Sequence, residues 1–108
     1  MSNDTITRGT RNVFADLGRA DPGERQTKTR LAMAVNEIIA DRKLKQTDAA
    51  RLLGIPQPRV SALAHYKLND FSVEKLMGFL TALDQDVEIM IRPRARDGAG
   101  AVSVLTVR

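Results

Sequence analysis

Residues 46–65, QTDAARLLGIPQPRVSALAH, constrain this chain more than any other stretch. Gly54 is free to take the positive φ of a tight turn, and Ala50 is small enough for two helices to touch beside it. Ala49, Leu53, Ile55, Val60 and Leu63 recur at the spacing that plugs such a crossing from both sides. The pattern predicts a short helix over 47–53, closed by Gly54, and a second from Gln57 to about Tyr66. Pro56 leads into that second helix and Pro58 sits in its first turn, where a missing N–H costs little. Gln57, Pro58, Ser61, Ala62 and His65 are then left on its outer face. An outer face of this kind has the dimensions to enter the major groove of a duplex.

The charge is segregated along the chain in a way the net value of +4 conceals. Residues 42–67 hold six basic side chains (Arg42, Lys43, Lys45, Arg51, Arg59, Lys67) against Asp48 alone. Residues 68–91 are acidic, with Asp70, Glu74, Asp84, Asp86 and Glu88 against Lys75, and residues 92–108 return to basic through Arg92, Arg94, Arg96 and Arg108. Clustered Lys and Arg release counterions when they neutralise phosphates. Lys43, Lys45, Arg51, Arg59 and Lys67 are therefore the expected phosphate ligands.

The remaining residues predict a mainly α fold of four to five helices with a C-terminal strand or hairpin. Gly9, Gly18, Pro22 and Gly23 interrupt residues 1–26, which read as an N-terminal arm with one apolar turn at Val13, Phe14 and Leu17. From Thr27, Leu31, Val35, Ile38 and Ile39 mark one face of a helix ending near Lys43. A further helix is expected over Val73–Leu83, with Ser72 as N-cap and Phe71 and Leu76 as a hydrophobic staple. Val87, Ile89 and Ile91 then alternate with polar or flexible residues before Pro93, the period of a half-buried strand. Such a strand needs an edge partner, either residues 102–107 or the same strand of a second subunit, which makes Val87, Ile89 and Ile91 the expected dimer interface. The organisation read from the sequence is an arm over 1–26, a helical domain over 27–84 and a strand or hairpin with a basic tail over 85–108.

Residues 28–83, through the 46–65 segment, resemble the Cro and phage-repressor family of helix-turn-helix proteins, also called the XRE family. The resemblance implies that Gln46 contacts the DNA backbone and braces Gln57, and that Gln57 reads a base edge. A Gln amide offers the donor and acceptor that pair with adenine N6 and N7. Lys45 and Pro56 depart from the family pattern, standing where Ser or Thr caps are usual. NVFADLG at 12–18, LNDFSVEKLMGFLTAL at 68–83 and the following VEIMIRPR are similar to the short HigA-like antitoxins of type II toxin-antitoxin pairs. That similarity implies a homodimeric repressor of a palindromic operator that also binds a RelE-like toxin. The alternatives are a stand-alone XRE regulator, or a protein-interaction module whose helix-turn-helix is vestigial.

Other function classes find little support. The chain has no Cys and one His, so a protein-built metal site is not expected, and no Gly-rich phosphate loop or nucleophile with a base points to an enzyme or a cofactor. With no apolar run of about 20 residues and no apolar core near the N-terminus, the expectation is a cytoplasmic protein with no membrane partner. At 4%, the aromatic content is too low for a stacking platform that would hold single strands. Met33, Met77 and Met90 read as core or interface residues. Gly78 and Ala82 form a small-residue ridge explained equally by close packing within the chain or against a partner.

Overall fold

The computed structural model describes residues 22–107, which form four helices: α1 (Pro22–Asp41), α2 (Gln46–Leu53), α3 (Gln57–Ala64) and α4 (Val73–Ala82). Val13, Phe14 and Leu17 lie outside the described residues. Helix α1 begins at Pro22, five residues ahead of the Thr27 at which its apolar period starts. Proline's fixed φ suits the first turn of a helix, and Glu24 there complements the positive end of the helix dipole. The hydroxyls of Thr27 and Thr29 donate to the carbonyls of Gly23 and Arg25, which lets Thr27 be buried with its polar atom paired.

All four helices end in the same left-handed device. The N–H groups of Leu44, Ile55, Lys67 and Gln85 each reach back five residues, to the carbonyls of Ile39, Ala50, Ala62 and Leu80, at 2.9 to 3.1 Å. The residue before each donor has a positive φ: Lys43 at 55°, Gly54 at 72°, Tyr66 at 59° and Asp84 at 67°. These bonds use carbonyls that a helix end leaves without partners. Only Gly54 is a residue that takes this conformation freely. At the other three the left-handed geometry costs on the order of 1 kcal/mol, offset by the closing hydrogen bonds.

The core is assembled from one face of each helix. Leu31, Ala32 and Val35 of α1 meet Leu76, Phe79 and Leu80 of α4, and Leu53, Leu63, Phe71 and Leu83 close it. Helix α1 packs chiefly on α4 and secondarily on α3, while α2 packs on α3. Ser72 caps α4 as expected, its hydroxyl accepting from the Lys75 N–H at 2.9 Å, with Phe71 and Leu76 buried on either side. Phe71 also meets Phe79 edge to face, ring centroids 5.9 Å apart. Arg42 ties the two long helices together at their ends, donating to the Leu83 carbonyl at 2.6 Å and lying 3.5 Å from Asp84.

The expected C-terminal strand or hairpin is not present among the described residues. Residues 85–94 and 99–107 carry no regular secondary structure, and a bend over 95–98 separates them. Among the described residues, no backbone–backbone hydrogen bond involves residues 86–107. Val87 and Val104 pack against the core, but Ile89 and Ile91 are 74% and 84% exposed. The alternation is that of a strand, yet a strand exists only through a partner's backbone, and residues 102–107 do not supply it. The Gly78 and Ala82 ridge is also clarified, since a Cβ at Gly78 would meet no atom within 4 Å and both residues are exposed. Among the described residues, no packing requires small side chains there.

Candidate nucleic-acid interface

Helix α2, the turn and α3 are built as the spacing of residues 46–65 predicts. Ala49, Leu53, Val60 and Leu63 are buried and Ile55 is half-buried. The small residue sealed in the interior is Ala49, with no exposed surface, rather than Ala50. Ala50 is half-buried, and its carbonyl closes the turn by accepting from both Gly54, at 2.8 Å, and Ile55, at 3.1 Å. Gly54 is required for its backbone angle alone, because a Cβ there would meet nothing. Lys45 and Pro56 occupy the N-cap positions with no side-chain cap bond, so α2 and α3 both start with amides left to solvent or to a ligand.

The side chains on α3 divide cleanly. Val60 and Leu63 face the core, whereas Gln57, Pro58, Ala64 and His65 are exposed and Ser61 is half-buried between them. Successive residues turn by about 100° on a helix, so Gln57, Ser61, Ala64 and His65 share one outward arc with Pro58 at its edge. Ala62, expected on this arc, is half-buried and packs against the core. Ala64 occupies the outward place that the sequence pattern had left unassigned. His65 closes the helix: its Nδ1 lies 2.8 Å from the Ser61 carbonyl oxygen. A carbonyl can only accept, so this contact puts the proton on Nδ1 and leaves Nε2 free to meet a ligand.

The basic residues fall into two groups. Lys43, Lys45, Arg51 and Lys67 are exposed at the ends of α1, α2 and α3, with Arg51 held 2.8 Å from Asp48 one turn earlier. Arg59, expected among the phosphate ligands, is turned inward. Its guanidinium carbon sits 4.5 Å from the Phe71 ring centroid, one Nη donates to the Asp70 carbonyl at 3.1 Å, and its Nε is buried without a hydrogen-bond partner. The aromatic face compensates part of that burial. Arg59 thus fastens α3 to the loop before α4, a role the charge count cannot distinguish from phosphate binding.

Gln46 and Gln57 are the first residues of α2 and α3, and both are exposed. No hydrogen bond joins them among the described residues. Asn36 is a contributor that sequence reasoning missed: its Nδ2 donates to the Leu63 carbonyl at 3.1 Å and fixes the C-terminal half of α3 against α1. Its one sequence signal is a polar residue flanking the Leu31, Val35, Ile38 and Ile39 stripe.

The family model for a helix-turn-helix domain matches residues 13–92, most of the chain. A solved structure named an XRE family transcriptional regulator is 55% identical, with a TM-score of 0.78, over 82% of this chain and 100% of its own. The chain belongs to the XRE helix-turn-helix family. No curated protein matches it. In this XRE-family protein the second helix of the motif is α3, held by Asn36 and Arg59 so that its outward arc stands clear of the core. No helix among the described residues is long and apolar enough to cross a membrane.

Proposed function

We propose that this XRE-family protein is a sequence-specific transcriptional repressor that binds duplex DNA as a homodimer. The observation that carries the reading is the outward arc of α3, whose Gln57, Ala64 and His65 are exposed, as are Lys43, Lys45, Arg51 and Lys67 at the ends of the neighbouring helices. Gln57 reads a base edge, Gln46 braces it from the start of α2, and Ser61 and His65 Nε2 extend the contact along the groove. The four basic residues hold phosphates on either side, and Val87, Ile89 and Ile91 join two copies on a palindromic operator. Two α3 helices about one helical turn of DNA apart would match such an operator.

The antitoxin role belongs to this proposal through the similarity of residues 12–18, 68–83 and 87–94 to HigA-like antitoxins. It requires a small RelE-like reading frame beside this one and a complex between the two products. If no such frame is present, the reading is a stand-alone regulator.

The test is selection of duplexes from a random pool. Gln57→Ala is expected to cost about 1 to 3 kcal/mol on the selected sequence and far less on random duplex. Equal weakening on both would move base reading to Ser61 and His65. Failure of any sequence to enrich would favour a vestigial motif that serves protein contacts.

A further inference from the structure

Helix α3 has a single basic residue, Arg59, and that residue is turned away from the outward arc onto the Phe71 ring and the Asp70 carbonyl. The arc therefore carries no Lys or Arg along α3. Guanine is the base whose major-groove edge offers two acceptors, O6 and N7, and Arg and Lys are the side chains that pair with both. What the arc does offer is the Gln57 amide, the half-buried Ser61 hydroxyl and the exposed His65 ring. With His65 Nδ1 donating to the Ser61 carbonyl at 2.8 Å, Nε2 of the neutral ring is an acceptor, which suits the amino group of adenine or cytosine and not O6 or N7 of guanine. The rest of the arc is apolar: Pro58 at its front edge and Ala64 at its rear are both exposed, and neither packs on the core. A major groove presents one apolar feature to such groups, the C5 methyl of thymine.

Resting on the duplex-binding reading above, we infer that α3 recognises an A·T core in each half-site and that Pro58 is a specificity-determining residue, its ring set against a thymine methyl beside the base read by Gln57. Pro58 is the second residue of α3, in the turn from which a helix of this kind reaches base edges. Consecutive Cα atoms are about 3.8 Å apart and successive bases of one strand about 3.4 Å, so the adenine at Gln57 and the thymine at Pro58 fall on the same or on neighbouring pairs. A proline ring has no side-chain donor or acceptor. Against a methyl group it displaces water and leaves no polar group unpaired. Against guanine it would cover O6 and N7 without a donor, and against cytosine it would cover the amino group without an acceptor, each an unsatisfied group that weakens binding. The same ring that departs from an ordinary capped helix start thus discriminates among bases by what it fails to pair.

Duplexes that the full chain selects from a random pool are expected to carry A·T pairs at the centre of each half-site. Exchanging their thymines one at a time for deoxyuridine removes the methyl group alone. One such exchange per half-site is expected to weaken binding about fourfold, the worth of one buried methyl. In Pro58→Ser, which keeps a residue at home in the first turn of a helix, the thymine and deoxyuridine duplexes are expected to bind alike at that position, because the contact is already gone. Affinity for random duplex and the salt slope should stay unchanged in this variant, which separates a lost base contact from a damaged fold. Enrichment of G·C pairs at the half-site centre overturns the inference. So does a selected duplex in which no thymine-to-deoxyuridine exchange matters, or one whose penalty persists in Pro58→Ser. Each of these results leaves sequence-specific binding standing. If no sequence enriches at all, the duplex-binding reading itself fails and this inference falls with it.

Discussion

The four-helix unit and the segment after Gln85 are both rich in apolar residues, yet the chain treats them differently. Within the helices every turn closes its own hydrogen bonds and the ends are closed by left-handed residues, so a buried face needs only another side-chain surface. Leu63 has no exposed area. Residues 87–92 alternate as a strand does, but among the described residues the backbone of 86–107 pairs with no other segment, and Leu105 is 86% exposed. The lesson is that apolar periodicity announces which face will be covered, and the backbone decides whether one chain suffices to cover it.

Substitution of the same residue type in the two regions tests this contrast, measured as denaturant unfolding at concentrations where the chain is monomeric. The largest effect is expected for leucine. Leu63→Ala should cost about 2 to 5 kcal/mol, against less than about 0.5 kcal/mol for Leu105→Ala. A comparable loss at Leu105 would show that the tail is folded onto its own chain.

Arginine comes next. Arg59→Ala is expected to lose about 1 to 3 kcal/mol through its ring contact and its bond to the Asp70 carbonyl. Arg92→Ala, on an exposed residue with no hydrogen bond or ion pair among the described residues, should stay within about 0.5 kcal/mol. Equal small effects would return Arg59 to the phosphate ligands, and the salt dependence of duplex binding would then fall with it.

Serine should show the smallest difference. Ser72→Ala removes the α4 cap and should cost about 1 kcal/mol. Ser103→Ala removes an exposed hydroxyl, and no measurable change is expected. A Ser103 effect of similar size would reveal a local structure in the tail that closes its own hydrogen bonds.

Much of the motif was legible because its demands are local. Gly54 is the one helix end at which a positive φ is visible in advance. The identical ends at Lys43, Tyr66 and Asp84 carry no such signal, since side chains that disfavour this conformation occupy them. Ser72, Phe71 and Leu76 announced α4 for the same local reason. Asn36 and Arg59 were not legible in their roles: what each side chain meets, the Leu63 carbonyl for one and the Phe71 ring for the other, lies on a different element.

The order of residues in 46–65 by itself determined two short helices about a glycine turn, the buried plugs and the exposed Gln57, because helix periodicity and backbone freedom are properties of neighbours along the chain. Only the tertiary structure decided that Arg59 points inward, that Ala64 rather than Ala62 stands outward, and that Val87, Ile89 and Ile91 form no strand among the described residues. Each of these depends on which surface another element brings alongside, and a strand depends on it entirely, since its hydrogen bonds belong to two segments at once.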